Sequence, residues 1–281
     1  MSIPEKVLAG IDRLEPLPIT VQKLLQLISG EEVPTNELVS VIEYDGAVAA
    51  NILRAANSAA YGGRFQVEKI RDAVVRLGTD NLLSIILGEH FRTNKVAAPM
   101  YDLSEDDLWL HGAASSMAAR ALAREAAPLR IPPVASIAAL VHDIGKLIMI
   151  RYLEADLPHI LSLCDEKGLT FVEAEHEIYG FDHAEVGAMM GRKWGFPPLV
   201  TSAIEMHHAS PAQDSTPVLD TVVLSNYAAK VIGIGLGAAG MNMRVDFTGC
   251  SGRLGLSLTG FERACAQTAF WVSEMRTSFG K

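Results

Sequence analysis

A histidine and an aspartate stand side by side within an otherwise apolar stretch of this sequence. His142 and Asp143 follow the apolar run 138–141 and precede Ile144. A carboxylate buried without a partner is costly, so a helix through this stretch must provide partners for the two side chains. A metal ion would satisfy both, because imidazole and carboxylate groups are ligands of zinc, iron, manganese and nickel. The pair is therefore a candidate metal-binding site.

Further histidines fall on other helices that the apolar spacing predicts. His111 belongs to a helix with small residues beside it, and His183 begins another helix. His207 and His208 end the helix that starts at Pro198. Taken singly, each is more often a satisfied core residue, or a charge that complements the dipole at a helix end. Taken together with the His-Asp pair, they predict ligands that four helices bring to one centre.

Two residues after the pair could support the same chemistry. Gly145 has no side chain, so it allows another group to approach closely. Lys146 lies four residues after His142, on the same face of a helix. The remaining histidines lack apolar surroundings or partners, and we interpret them as structural or solvated: His90, His159 and His176.

Helices are expected to position these residues. Hydrophobic residues make up 49% of the 281 residues but aromatic residues only 6%, so aliphatic side chains and methionine must form the core. Such a core suits closely packed helices. Helical spacing with short connections predicts an all-α, multi-helix bundle with an N-terminal helical sub-bundle. One helix is predicted to run from Val134 to about Tyr152, and the one candidate for a strand is Met243 to Phe247.

The C-terminal part is predicted to extend the bundle. Gly235 to Gly240 spells GxGxxG, but this motif follows a helix rather than a strand, so a flexible loop is favoured over a dinucleotide site. Helical spacing returns from about Thr259. We expect residues 211–281 to be a helical extension that packs on the rest of the chain.

The charge balance argues against several classes of partner. Lysine and arginine total 24 and aspartate and glutamate total 33, which gives a net charge of -9. Nucleic acids and anionic membranes need clustered positive charge, so neither is expected as a partner. The longest uncharged stretch, 231–243, is too short to span a bilayer. Three widely spaced cysteines form no CxxC pair, which favours a cytoplasmic location.

The candidate site resembles a known motif. The sequence ALVHDIGK at 139–146 resembles the central motif of the HD superfamily of metal-dependent phosphohydrolases, and His111 matches its upstream histidine. His183 and then His207-His208 resemble the downstream histidines of its dinuclear HD-GYP branch.

Other segments narrow the resemblance to the HDOD domain, the HD-related output domain of bacterial signalling. These segments are LEPLP (14–18), VIEYD (41–45), LRAANSAAYG (53–62), DHAEVG (182–187) and WGFP (194–197). The resemblance implies an HDOD domain over residues 1–210. Its N-terminal sub-bundle would cover about 1–98 and its HD-like part about 99–210.

One position departs from the HD pattern. That pattern has an aspartate on a later helix where this sequence has Asn226, and Asp220 lies more than a turn away. An amide is a poorer metal ligand than a carboxylate. The resemblance implies two ligand sets that share one aspartate: an incomplete set of His111, His142 and Asp143, and a complete set of Asp143, His183, His207 and His208.

Two functions follow from the resemblance. The first is a bacterial signal-transduction or regulatory protein with a vestigial or partly retained metal site, and its partner is a signalling protein or a small phosphate-containing ligand. The alternative is a metal-dependent phosphohydrolase for a phosphate ester or cyclic nucleotide, with Asp143 and Lys146 as catalytic residues; Lys146 would steady the phosphate. One or two divalent transition-metal ions are expected, iron ahead of manganese, nickel or zinc. A helical nucleic-acid binder ranks last.

Overall fold

Helices carry nearly all the regular structure in the described part of the chain. The computed structural model describes residues 5–13, 17–28, 34–58, 61, 65–78, 81–82, 85–87, 97–98, 103–126, 131–153, 157–209, 215–235, 237 and 242–279. The all-α bundle that the composition predicts is confirmed, since strands within these residues are limited to the two-residue pair β1 (Ala97–Ala98) and β2 (Leu103–Ser104).

The helices have the following bounds: α1 (Glu5–Arg13), α2 (Ile19–Ile28), α3 (Thr35–Tyr44), α4 (Gly46–Ala56), α5 (Ile70–Leu77), α6 (Glu105–Glu125), α7 (Val134–Val141), α8 (Gly145–Tyr152), α9 (Leu157–Lys167), α10 (Phe171–Tyr179), α11 (His183–Lys193), α12 (Pro198–Met206), α13 (Pro217–Val231), α14 (Phe247–Arg253) and α15 (Leu258–Phe279).

The N-terminal sub-bundle consists of α2 to α5, which pack on one another. Asp45 begins α4 by accepting hydrogen bonds from the backbone N–H groups of Ala47 and Val48. Asn57 follows α4, donates to the carbonyl oxygen of Val67 at 2.8 Å and accepts from the Val67 N–H at 2.7 Å. Asn57 thereby links the end of α4 to Val67, which precedes α5.

The first helix joins the later half of the chain instead. α1 packs on α8, and the Lys193 ammonium of α11 donates to the carbonyl oxygen of Ile11 at 2.6 Å. One continuous hydrophobic core includes residues of both halves, such as Leu24 and Ile148.

The long helix α6 forms the centre of the later half. It packs against α7, α13 and α15. Glu125 near the end of α6 pairs with Arg263 near the start of α15, and Arg120 lies over the ring of Trp271. The two helices are therefore antiparallel.

The helix predicted from Val134 to about Tyr152 is interrupted at the His-Asp pair. α7 ends at Val141 and α8 begins at Gly145, and the turn between them is tightened by i to i+3 bonds. The Ile144 N–H donates to the carbonyl oxygen of Val141 at 3.0 Å, and the Lys146 N–H to that of Asp143 at 3.0 Å. The prediction of one unbroken helix was wrong because the backbone narrows to a 3₁₀-type turn here.

Helix α14 is attached to α13 through an ion pair between Arg253 and the buried Asp220. The Arg253 guanidinium of α14 donates to both carboxylate oxygens of Asp220 in α13, at 2.7 and 2.9 Å. The strand proposed at Met243 to Phe247 is wrong: residues 243–246 have no regular structure, and Phe247 begins α14. Among the described helices, we find none that is both long enough and apolar enough to cross a membrane.

Candidate metal centre

Four histidines surround one buried carboxylate. The Asp143 side chain lies in the turn between α7 and α8 and is 9% exposed. Its Oδ2 atom is 3.6 Å from Nε2 of His111 and 3.5 Å from Nε2 of His142. Its Oδ1 atom is 3.2 Å from Nε2 of His183 and 3.6 Å from Nε2 of His207. The carboxylate thus directs one oxygen toward each pair of histidines.

The same geometry defines two groups of potential metal ligands. Within each group, the ligand atoms lie within 4.8 Å of one another. His208 joins the second group, with its Nε2 atom 3.1 Å from that of His183. The first group contains His111, His142 and Asp143, and the second contains Asp143, His183, His207 and His208. The structure therefore brings together all six residues that the sequence analysis selected as metal ligands.

Three of the rings are held with one nitrogen free to bind a cation. The Nδ1 atoms of His111, His142 and His207 face backbone carbonyl oxygens at 3.2, 2.8 and 2.7 Å. A carbonyl only accepts, so each Nδ1 carries the proton and each Nε2 presents a lone pair. Among the described residues, these three buried Nε2 atoms have no hydrogen-bond partner, and neither does Oδ1 of Asp143. Buried nitrogen atoms that lack a hydrogen-bond donor and converge on a carboxylate are well suited to bind a metal ion.

Electrostatics keep most of the cluster in the form that binds metal. Burial lowers the pKa of His111 to about 4. Burial also lowers the pKa of His142, His207 and His208. For Asp143, burial alone would raise the pKa, but the Lys146 ammonium at 2.6 Å and the neighbouring histidines hold it well below its usual range. Neutral imidazoles and an ionised carboxylate are the required ligand forms.

A buried glutamate that sequence reasoning missed supports His183. Glu175 of α10 is fully buried, and its Oε2 atom lies 2.6 Å from Nδ1 of His183. Burial alone would lower the pKa of His183, but the carboxylates of Glu175 and Asp143 outweigh it and raise the pKa to about 9. A positive charge between the two carboxylates is therefore favoured, on the ring or on an ion bound to it. A carboxylate behind a ligating histidine is a common feature of metal sites.

Close helix contacts bring the ligands together at two glycines. A Cβ atom on Gly145 would overlap the carbonyl oxygen of His183 and lie 2.5 Å from the amide nitrogen of Gly187. One on Gly112 would overlap the carbonyl oxygen of Leu140. The close approach expected at Gly145 is thus confirmed. The backbones of α8 and α11 are in direct contact there.

The segment predicted to be a flexible loop has a role at the site. The Ile234 carbonyl oxygen accepts the His111 hydrogen bond, and Gly235 has a φ of 71° and packs against that imidazole ring. A Cβ atom on Gly235 would lie 2.5 Å from the ring. Residues 236 and 238–240 of the GxGxxG motif lie outside the described residues.

Asn226 lies on α13 and is 6% exposed. Its Oδ1 atom is buried and has no hydrogen-bond partner among the described residues. Of the histidines interpreted as solvated, His159 and His176 are exposed, and His90 lies outside the described residues.

A cavity of about 410 Å³ opens beside the second ligand group. His183, His207 and His208 form part of its lining, as do Lys146 and Lys230. A small molecule in this cavity would therefore reach the candidate metal ligands directly.

The fold and the site together indicate the class of helical proteins that have a histidine-rich centre around one aspartate. A sequence model of the HDOD domain matches residues 14–210, and the chain belongs to the HDOD domain family.

Solved structures show the same fold. An HDOD domain protein of unknown function from Geobacter sulfurreducens superposes with a TM-score of 0.69 and 22% identity, over 97% of this chain and 92% of that one. A Marinobacter aquaeolei VT8 protein provisionally assigned to signal transduction has a TM-score of 0.71 and 22% identity, over 99% of this chain and 65% of that one. A provisionally assigned phosphohydrolase from Shewanella amazonensis SB2B has a TM-score of 0.60 and 23% identity, over 94% and 98%.

Among curated proteins, an uncharacterized protein of Treponema pallidum (strain Nichols) is 24% identical over 237 residues. The match covers 81% of this chain and 45% of the relative, so the chain spans less than half the length of that protein.

Proposed function

We propose that this chain is a regulatory HDOD protein of bacterial signal transduction that holds one divalent metal ion. The ion is bound by Oδ1 of Asp143 and by His183, His207 and His208. Membership of the HDOD family supports the regulatory role. Three imidazoles and one carboxylate suit iron, manganese, nickel and zinc, and we expect iron.

We propose one ion rather than two because the second oxygen of the Asp143 carboxylate, Oδ2, already has a partner. Oδ2 of Asp143, which the first group would use, is already paired with the Lys146 ammonium at 2.6 Å. The HD pattern that the sequence resembles would add an aspartate to that group, and this chain has the amide Asn226 at the matching position. Two neutral imidazoles and a carboxylate oxygen that Lys146 already neutralises bind a cation weakly.

If the bound ion is four-coordinate, as zinc is, the ligand count also favours regulation over hydrolysis. Catalytic sites for four-coordinate ions have three protein ligands and keep one position open for water, whereas closed sites have four. The second group supplies four protein ligands. A four-coordinate ion there would link the turn before α8, the start of α11 and the residues that follow α12, which is a structural or sensory role.

Metal analysis of matched variants tests this proposal. We expect about one ion per chain in the wild type, none in His207→Ala and about one in His111→Ala, because only His207 belongs to the complete group. Bis(p-nitrophenyl) phosphate with added iron or manganese should not be hydrolysed. Two ions per chain, with hydrolysis that Asp143→Ala abolishes, would refute the regulatory assignment.

The bridging position of Asp143 favours a second candidate function, metal-dependent phosphoester hydrolysis. A carboxylate that directs one oxygen toward each ligand group has the arrangement of a two-metal centre. Such a pair of ions supplies Lewis-acid polarisation of a phosphate and activation of water. In this alternative, Lys146 would steady the phosphate from its place in the cavity wall.

Asn226→Asp separates the two candidates. The new carboxylate should complete the first group and raise the metal content from about one to about two ions per chain. Asn226→Ala is the matched control, which removes the amide without adding an anion and should leave the content at about one ion. If both variants and the wild type hold two ions, the first group is competent without a further anion and our proposal of one ion is wrong.

A further inference from the structure

A short segment without regular structure forms part of the wall of the cavity beside the second ligand group. This strap, residues 242–246, leads into α14, and residues 243–246 line the cavity. Met243 and Val245 are partly buried, whereas the side chain of Arg244 between them is 66% exposed. One side of the strap therefore faces the cavity and the other side faces solvent.

Asn242 anchors the first residue of the strap. Its Nδ2 group donates to the carbonyl oxygens of Cys164 at 2.6 Å and Leu169 at 2.9 Å. Within the described part of the chain, residues 242–245 make no backbone–backbone hydrogen bond. The strap is therefore held by side-chain hydrogen bonds and by the packing of Val245 against the core. A segment with so few backbone bonds opens locally at low cost in free energy.

Arg244 fastens the middle of the strap to the first turn of α10. Its guanidinium donates to a carboxylate oxygen of Glu173 at 2.9 Å and to the carbonyl oxygen of Gly168 at 3.1 Å. Both members of this ion pair are exposed, and such pairs contribute little to stability. The same helix carries Glu175, which lies behind His183. A weak ion pair thus holds the strap against the helix that supports the site.

The buried position of the candidate ligands gives this arrangement a purpose. His183 and His207 are 2% and 4% exposed, and both line the cavity. A buried metal site needs a path by which the ion enters. Movement of the strap away from α10 would widen the cavity on its solvent side without breaking a backbone hydrogen bond of residues 242–245 among the described residues.

We propose that the strap is a gate that opens to let a metal ion enter and leave the cavity, and that Asn242 and Arg244 hold this gate closed. The inference rests on the proposed function, in which the second ligand group binds the ion.

Rates of metal exchange test the proposal. A gate limits entry and release alike, so Arg244→Gln should raise both rates about two- to fivefold and leave the dissociation constant unchanged. Stopped-flow mixing of the purified full chain with iron(II) or manganese(II), and with a chelating dye, measures the two rates. Arg192→Gln is the matched control, because Arg192 forms an exposed ion pair with Glu205 outside the cavity and should leave both rates unchanged.

Asn242→Gly provides a second test that removes different bonds. Asn242 has a φ of 50°, which glycine adopts without strain, so this variant loses the two amide hydrogen bonds and keeps the backbone conformation. Both exchange rates should rise about tenfold. Unchanged rates in both variants would overturn the proposal. So would faster entry without faster release in Arg244→Gln, because the loss of a positive charge alone attracts a cation.

Labelling of Cys250 separates failure of the gate from failure of the metal site. Cys250 lines the cavity and is 2% exposed, and its labelling requires no metal. A thiol-specific dye, with peptide mass spectrometry, should label Cys250 faster in Arg244→Gln and Asn242→Gly than in the wild type. Cys265, which is buried in α15 outside the cavity, should keep its wild-type rate.

The two measurements have distinct outcomes. If the wild type contains no metal but Cys250 shows this labelling pattern, the proposed metal site is refuted and the opening of the strap stands. Equal labelling of Cys250 in the wild type and both variants would overturn the gate, whether or not the protein binds metal.

Discussion

A carboxylate behind a metal-binding imidazole strengthens the bond from that ring to a cation, and Glu175 has this position behind His183. The glutamate is fully buried, and it accepts both the backbone N–H and the Nδ1–H of His183. It therefore fixes the direction in which Nε2 faces Asp143.

Replacing Glu175 by glutamine should weaken metal binding by about 10- to 100-fold, because the ring loses the negative charge that raises its basicity. The measurement is the dissociation constant in competition with a chelating dye. Glu177→Gln is the control, since Glu177 lies on the same helix but is exposed and pairs with Lys167. Equal affinities in Glu175→Gln and the wild type would show that Glu175 has no influence on the metal.

The cysteines should be unreactive in the folded protein. Cys164, Cys250 and Cys265 are all buried. Burial, and then nearby carboxylates, raise the pKa of Cys250 to about 12 and that of Cys265 to about 11. Because the thiolate is the reactive form, the raised pKa leaves the Cys250 thiol almost entirely protonated and unreactive at pH 8. A thiol-specific dye should label the native protein slowly and the urea-unfolded protein rapidly at all three cysteines. Rapid labelling of the native protein would contradict this.

Residue types in unexpected surroundings made much of the site predictable. His142 and Asp143 interrupt an apolar run, and that pattern alone indicated a need for partners. Glu175 shows a similar pattern, a charged residue on the apolar face of a helix. It follows Phe171 by four residues and precedes Ile178 by three in α10. The contact of Gly235 with His111 could not be predicted, because it depends on how distant segments pack.

At the scale of helices, the contact between α8 and α11 determines how far Asp143 lies from His183. Gly145 and Gly187 face each other there, and neither has room for a side chain. Any added atom must push the two helices apart, and with them the ligands that they carry.

Gly145→Ala should therefore destabilise the fold by about 1–3 kcal/mol and weaken metal binding, because the new methyl group meets backbone that cannot move aside. Urea unfolding measures the first effect and dye competition the second. Gly46→Ala is the control: a Cβ atom there meets nothing within 4 Å, and alanine favours a helix more than glycine does. A stable Gly145→Ala protein with normal metal affinity would show that α8 and α11 can separate without consequence.

The apolar spacing predicted most helix positions, but it did not predict the helix break at residues 142–144 or the irregular segment at residues 243–246. The break at residues 142–144 occurs without glycine or proline inside it, so a local pattern could not show it. The alternation from Met243 to Phe247 predicted a short strand, yet residues 243–246 are irregular, and Arg244 pairs with Glu173 of α10. In both cases tertiary contacts decided the outcome.

At the scale of the whole molecule, the centre draws on distant parts of the chain. The candidate ligands come from residues 111–208, and α13 of the expected C-terminal extension adds Lys230 to the wall of the cavity beside them. The resemblance placed Asn226 of this extension at the position of a metal ligand, but the contacts of Ile234 and Gly235 with His111 were not predicted. Relative helix positions over such separations depend on the complete core, so local spacing patterns do not predict them.

Because the second ligand group joins α8, α11 and the end of α12, metal binding should stabilise the whole fold. An ion that binds only the folded state, at about 1,000 times its dissociation constant, adds about 4 kcal/mol to the free energy of unfolding. Urea unfolding of the chelator-treated protein, with and without added iron or manganese, measures this difference. His207→Ala should show no metal-dependent gain, whereas His111→Ala should keep most of it, since only His207 belongs to the four-ligand group. An equal gain in both variants would mean that the ion is bound elsewhere.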